Sequence, residues 1–382
     1  MVGRLNLTRR RMLELSGAAA TALPLFYIGK PALAAAGDVA AQVAAAKDLI
    51  AKAAATNIRW DGPTTGPKAL AGKTVVLISE DQRNGGALGV SQGVTEAAKV
   101  IGWKLTVLDG AGVIANRSAA FGQAIALKPD VIIADNDDAT EQKVNITKAA
   151  NAGIKVLGWH SNVAPGPMEG VPLFTNISTD PRSVAKVSAA LVIADSKGNA
   201  GVVVFTDATE KISVMKSDAM AAFVKECPGC SVLQVIDTPL ASVSTRIPQM
   251  TQSLQTRFGK KWTYSLAIND GFFDFMAPPL RAAGIPGSGP PINISGGDGS
   301  EAAFERIRGQ NYQFATVAEP LRLHGWQLID EANRALAGQQ WSGYVAPTHL
   351  VTKDNIGTNG GPKNLYDPDN GYTEIYKKIW GV

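Results

Sequence analysis

The sequence predicts an α/β protein of two doubly wound parallel-sheet domains. About ten short apolar, β-branched runs alternate with amphipathic segments of about ten to sixteen residues, and such alternation marks parallel sheets covered by helices on both faces. That many strands exceeds one simple doubly wound unit, and the set divides near residues 176–200, where a long helix from Pro181 to Ser196 is expected. Polar residues also collect just after run upon run, which is where open α/β sheets bind ligands. A chain of 382 residues, 45% hydrophobic, is long enough for two cores.

The expected strands of the first half are Thr74–Ser79, Lys104–Leu108, Val131–Ala134, Ile154–Leu157 and a weaker Pro172–Thr175. Those of the second half are Gly201–Thr206, Ser231–Ile236, Tyr264–Ile268, Pro291–Ser295 and Gln313–Val317. Helical patterns such as Gly93–Ile101 and Ala139–Ala152 lie between them. Ahead of the first strand, Gly37–Ala55 reads as an Ala-rich helix and Arg59–Gly72, with its glycines and prolines, as an extended linker.

Charge separates the N-terminus from the rest. Of 37 basic and 33 acidic residues, five basic and one acidic fall within residues 1–36, leaving 32 of each sign in the remainder. The basic excess is therefore not a nucleic-acid-binding surface. It belongs to an export signal: Thr8-Arg-Arg-Arg-Met-Leu13 resembles a twin-arginine motif, a short apolar stretch runs to Ile28, and Ala32-Leu-Ala34 offers a small-x-small cleavage site, with a second option at Ala34–Ala36. The apolar stretch is shorter than the roughly 20 residues that span a bilayer. The expected location is the periplasm. Cys227 and Cys230 follow an expected helix, Met215–Lys225, rather than opening one, so a structural clip or an idle pair is favoured over a redox site.

Enzyme and cofactor signatures are absent. Gly85-Gly-Ala-Leu-Gly89 lacks dinucleotide spacing and no phosphate-binding loop occurs. Its glycines serve either a helix start near a ligand or close packing. His160, His324 and His349 show no metal-ligand spacing, and Asp367-Pro-Asp-Asn-Gly371 lacks the closing Glu of a calcium loop and reads as a turn. No metal, cofactor or catalytic residue is expected. Asp135, Asp137 and Asp138 share one loop, and helix capping accounts for at least one of them.

The remaining motifs are Glu96-Ala-Ala-Lys99, Leu127-Lys-Pro-Asp-Val-Ile-Ile-Ala134, Ala149-Ala-Asn-Ala-Gly-Ile154, Ala267-Ile-Asn-Asp-Gly271, Ser295-Gly-Gly-Asp-Gly-Ser-Glu301 and Ala315-Thr-Val-Ala-Glu-Pro320. Together, over roughly residues 72–356, they resemble type I periplasmic substrate-binding proteins of sugar ABC transporters, similar to ribose-binding proteins. The resemblance implies three hinge crossings, near Ser178–Asp180, Glu319–Pro320 and His349–Val351. It implies a division into a signal (1–36), an N-terminal helix and linker (37–71), a first domain (72–178 plus 320–349), a second domain (179–319 plus 350–357) and a C-terminal tail (358–382). It also implies capture of a sugar, polyol or similar small polar solute and delivery to an ABC transporter permease.

Carried over residue by residue, the resemblance nominates Asn269, Asp298, Glu319 and Asn84 for ligand contact, with Arg83 beside Asn84. Each keeps a structural alternative: a helix cap for Asn269, a turn for Asp298, a helix start for Glu319, a solvated loop for Arg83 and Asn84. The family's two stacking aromatics are Gly86 and Ala87 here, its Asp-Arg pair is His160-Ser161, and its helical Arg has only Lys216 or Ser217 nearby. Trp159, His160 and Phe272 are the candidate replacements as apolar faces, Trp159 being equally suited to a core, while Phe273 and Phe275 are expected to pack. Asp270 either caps a helix or orients Asn269. Two rival readings are an exported enzyme acting on a small carbohydrate and a sensory binding protein that presents its ligand to a chemoreceptor or sensor. A repressor of similar fold is disfavoured, because no helix-turn-helix precedes residue 72.

Overall fold

The computed structural model describes residues 31–382, with side chains from Asp38 onward. The twin-arginine-like motif lies outside the described residues. The first sheet contains β1 (Thr74–Ser79), β2 (Lys104–Asp109), β3 (Val131–Asp135), β4 (Lys155–Trp159) and β5 (Asn176–Ile177), all parallel, in the order β2-β1-β3-β4-β5. The second contains β6 (Gly201–Thr206), β7 (Ser231–Asp237), β8 (Tyr264–Ala267), β9 (Ile292–Ser295), β10 (Ala315–Ala318) and β11 (His349–Thr352), in the order β11-β10-β9-β8-β6-β7. Only β11 runs antiparallel to its neighbour. Two expected strands shift: Pro172–Thr175 gives way to β5 just beyond it, and Gln313–Val317 begins at Ala315.

Burial explains the continuous apolar runs. Along β1, Val75 and Leu77 join one core cluster while Val76 and Ile78 join the cluster on the opposite face. The side-chain period of two sends successive residues to opposite faces, and both faces are covered here. The covering helices of the first lobe are α2 (Gly85–Ile101), α3 (Ile114–Ala126) and α4 (Lys143–Asn151). Those of the second are α5 (Pro181–Asp195), α6 (Lys211–Lys225), α7 (Val243–Phe258), α8 (Ala277–Ala282) and α9 (Glu301–Gly309).

After β10 the chain returns to the first lobe as α10 (Leu321–Leu336), which packs along α2. Two glycines let the helices touch: a Cβ on Gly325 would stand 2.4 Å from the Gly93 carbonyl carbon, and one on Gly93 would stand 2.5 Å from the Arg322 oxygen. Arg322 then spans from Glu96 to Asp367.

The chain passes between the lobes after β5, after β10 and before β11, as expected. Two further segments also pass. The N-terminal helix α1 (Pro31–Ala53) lies on α5, but the linker after it ends on the first lobe, where Trp60 packs on Tyr344 and Tyr376. Residues 353–371 lead from β11 to α11 (Tyr372–Trp380), which joins the first-lobe core. Trp380 stacks on Trp326 with ring centroids 5.5 Å apart, and its indole N–H donates to Asp330 Oδ1 at 2.8 Å. The Asp367–Gly371 stretch is a turn whose aspartate accepts from the Tyr372 hydroxyl at 2.8 Å.

Cys227 and Cys230 are thiols in this structure. Burial, reinforced by the Cys227 sulfur, pushes the Cys230 thiol up to about 12, the opposite of what a redox nucleophile needs.

The C-terminal helix is thus expected to carry stability. Trp380→Ala should cost about 3–5 kcal/mol, read as a lower urea midpoint at unchanged slope. A loss below about 1 kcal/mol would show that α11 is dispensable to the first-lobe core.

Candidate functional site

The C-terminal ends of both sheets face each other across a cleft, and the nominated residues sort themselves there. From the second lobe, the turn after β8 presents Asn269 and the loop after β9 presents Asp298. Asn269 caps the following 3-10 turn through Oδ1, which accepts from Gly271 N at 2.7 Å, while its amide donates to Asp298 Oδ2 at 2.6 Å. It is both cap and site residue.

Asp270 sits behind them. Its Oδ2 accepts from the backbone N–H groups of Asp298, Gly299 and Ser300 at 3.0, 2.8 and 3.1 Å, and its Oδ1 accepts from Gln313 Nε2 at 2.7 Å. It is a positioning residue for the Asp298 loop.

On the first lobe, Asn84 caps α2, accepting from Gly86 N at 3.0 Å. The Arg83 side chain, 72% exposed, folds onto Asp81 at 2.6 Å and also donates to the Ala111 carbonyl at 3.1 Å. Both still line a cavity of about 510 Å³ between the lobes, together with Glu80, Asn269, Asp298 and Phe275.

The glycine loop meets the other lobe directly. A Cβ on Gly86 would stand 2.3 Å from Asp298 Oδ2, and one on Gly85 would stand 2.5 Å from the Ser300 Cβ. Close packing, one of the two alternatives for these glycines, is therefore realised across the cleft.

Deeper in, His160, Asp298 and Glu319 place donor atoms within 4.8 Å of one another, all buried. The His160 Nε2 lies 3.0 Å from Glu319 Oε2, which also accepts from Thr179 N at 3.2 Å. The His160 ring stacks on Trp159 at 3.7 Å between centroids, and its backbone takes the left-handed φ of 52°, an unusual conformation for a non-glycine residue. Trp159 in turn donates to His324 Nδ1 at 3.1 Å. Trp159 is thus a buried support and His160 the ring it presents.

This trio is the one group with metal-ligand spacing among the described residues, but the Lys216 ammonium already acts on both carboxylates. Lys216 is 3% exposed and donates to the Ile268 carbonyl at 3.2 Å. It supplies the cation where the family's helical Arg is missing.

Phe272 does not reach the cleft. It is fully buried against Phe205, centroids 5.9 Å apart, because it directly follows the tight Gly271 turn and folds back over β6. Phe275 packs against the second-lobe core, as expected, and also lines the cavity. The loop acids also separate: Asp138 makes the turn, accepting from Thr140 N at 2.7 Å, and α4 starts only at Lys143.

Arg117, on α3, was not legible as a site residue. It is 2% exposed and bridges the lobes, 3.0 Å from Asp137 and 3.5 Å from Glu210.

Burial dominates the titration of this cleft. It pushes Glu80 to about 7, Asp137 to about 6 and Glu210 to about 9, with Arg117 opposing in each case. It pushes Asp298 to about 6 against Lys216 and His160. Glu319 is the exception: burial would raise it, but His160 and Lys216 together hold it at about 2. Burial lowers His324 and His349 to about 4.

Two expectations follow. Ala in place of Gly86 suits a helix by up to about 1 kcal/mol, yet its Cβ would collide with Asp298. Gly86→Ala should therefore weaken ligand binding by about tenfold or more without lowering the melting temperature of the free protein; unchanged affinity would show that the loops need not meet.

For pH, the folded acids Glu80, Asp137, Asp298 and Glu210 retain protons that the unfolded chain has already lost. Stability should fall as pH rises from about 5 to about 7. The two lowered histidines pull the other way but are fewer, and the Glu319 contribution is lost only in more acidic solution. A melting temperature higher at about pH 7.5 than at about pH 5.5 would contradict this balance.

Residues 75–340 match the family model described as a periplasmic binding protein domain. No curated protein matches the chain by sequence. Among solved structures, an ABC transporter solute-binding protein from Agrobacterium vitis bound with α-D-tagatopyranose is 16% identical, with a TM-score of 0.68 over 77% of this chain and 99% of that one. A sugar ABC transporter protein from Yersinia enterocolitica subsp. enterocolitica is 17% identical, with a TM-score of 0.66 over 87% of this chain and 98% of that one. The XylFII–LytSN complex matches at 15% identity and a TM-score of 0.64, over 74% of this chain and 99% of that one. At such identities the structures speak for the fold, and the family match covers well over half of the sequence. The chain belongs to the periplasmic binding protein family.

Proposed function

We propose that the protein is an exported solute-binding protein. It captures a sugar, polyol or similar small polar solute between its lobes and delivers it to an ABC importer. The observation that carries this reading is the cleft itself: Asn269 and Asp298 of one lobe and the glycine loop of the other bound a cavity of about 510 Å³, within the usual range for small-molecule sites. Hydrogen bonds from hydroxyls to carboxylates contribute about 1.5–3 kcal/mol each. A few of them, with a ligand bridging both lobes, suffice for micromolar binding after the cost of closure. Two of the structural relatives agree with this reading, the Agrobacterium vitis protein bound with α-D-tagatopyranose and the Yersinia enterocolitica sugar ABC transporter protein.

Export through the twin-arginine route rests on the arginine motif, the short apolar stretch and the small-x-small site. The hinges are proposed at residues 178–180, 319–320 and 349–351. Ligand contacts are proposed for Asn269, Asp298, Glu319 and His160, with Asn84 at the rim.

A thermal-shift screen against pentoses, hexoses, polyols and non-sugars tests the reading. A true ligand at a hundredfold excess over its Kd should add about 2.7 kcal/mol, visible as a shift of several degrees. Asp298→Ala should abolish that shift. Turnover of the ligand, or a response confined to nucleotides or amino acids, would overturn the assignment.

A further inference from the structure

The cleft holds more acid than its cations can neutralise. At the strand ends, Glu80, Asp135 and Asp137 of the first lobe and Glu210, Asp298 and Glu319 of the second are all buried. Facing them are Arg117, Lys216 and His160. Arg117 is shared between Asp137 and Glu210, and His160 pairs with Glu319. Lys216 acts on Asp298 and Glu319. Glu80 and Asp135 are left with no cation at ion-pair distance; Glu80 accepts only from the Asn136 amide.

Asp135 is the sharper case. It is 0% exposed and neither carboxyl oxygen has a hydrogen-bond partner. Ser79, opposite it in the strand register, brings its hydroxyl near enough to act on the Asp135 carboxyl as a hydrogen-bond donor, though not in full hydrogen-bond geometry. Asp135 ends β3 directly behind Glu80, whose backbone N–H donates to the Asp135 carbonyl at 2.9 Å, and Glu80 itself lines the cavity. Buried polar atoms without partners are uncommon in folded proteins and call for an explanation.

The site is also poor in what a neutral sugar needs. The family's stacking positions are Gly86 and Ala87. Trp159 is covered by His160, which leaves Phe275 as the cavity's aromatic face. The lining is rich in acceptors and poor in free donors: Lys216 is spent on a backbone carbonyl and Arg83 on Asp81. A neutral hydroxyl both gives and accepts a hydrogen bond, whereas an ammonium gives three and accepts none.

We propose that the solute is a small polyhydroxylated amine, an amino sugar or amino polyol, whose ammonium group sits between Glu80 and Asp298, with Asp135 behind Glu80. This deepens the solute-binding reading and rests on it. The ammonium replaces the protons that burial holds on Glu80 and Asp298, and the hydroxyls engage Asn269, His160 and Glu319.

The test is isothermal titration of extensively dialysed wild-type protein with matched triples across hexoses, pentoses and alditols. Each triple comprises the neutral hydroxyl compound, its amino analogue and the N-acetylated analogue. Putrescine and calcium serve as hydroxyl-free cations. The amino member of at least one triple should bind about tenfold or more tighter than both neutral members. Glu80→Gln and Asp135→Asn should narrow that ratio, and the wild-type comparison decides the matter if either variant fails to fold. A neutral or N-acetylated member binding as tightly as its amine overturns the proposal and leaves solute capture standing. Binding of putrescine or calcium without any saccharide or polyol, or no binding by any compound, overturns both.

Discussion

One carboxylate organises the binding face of the second lobe. Asp270 gathers three consecutive backbone N–H groups on a single oxygen. An anion cradled by successive N–H groups is a strong local arrangement, and here the cradle is the loop that carries Asp298. With the loop fixed, Asp298 is fixed; with Asp298 fixed, the Asn269 amide has one place to donate, and the first-lobe glycines have one surface to meet. An acid that first looks like a helix cap therefore acts one loop away, on the residue that touches the facing lobe.

The contact between Gly86 and Asp298 explains the missing aromatics in physical terms. A ring at position 86 requires space that Asp298 occupies, since even a single methyl would lie 2.3 Å from its carboxyl oxygen. The two lobes approach through backbone and carboxylate rather than through a hydrophobic platform. That choice removes apolar surface from the site and adds buried charge, so selection among solutes shifts from ring stacking toward hydrogen bonding and electrostatics.

Much of this was legible in the sequence, for identifiable reasons. The strands β1 and β6 were readable to the residue because both of their faces are buried and their runs are unbroken. The position of Asn269, Asp298 and Glu319 beside the cleft was readable because each follows the end of a buried parallel strand. Lys216 was named only as the residue nearest the family's helical Arg, and Arg117 not at all, since a basic residue on an amphipathic helix reads as solvated until the opposite lobe closes over it. Phe272 was misplaced because the segment from Asp270 to Phe275 is a 3-10 helix, which turns it into the core and leaves Phe275 at the cavity. The C-terminal segment was read as a tail because its Gly- and Asn-rich approach hides α11. Yet Tyr372, Tyr376, Ile379 and Trp380 follow helical spacing and are all buried, so the pattern was present.

The position of Glu319 joins site to hinge. It lies between β10 and α10, where the chain passes from the second lobe to the first, and its Oε2 accepts from the backbone of Thr179 in the connection after β5. The same oxygen meets His160, which is held by Trp159 and, through it, by His324 on α10. A solute that engages His160 or Glu319 therefore pulls on two of the inter-lobe connections at once. Because any ligand shifts a conformational equilibrium only by its differential affinity for the two states, a contact shared between these connections ties binding to their geometry. The two added crossings, ahead of β1 and after β11, tether the lobes further, so this cluster sits amid five covalent connections rather than three.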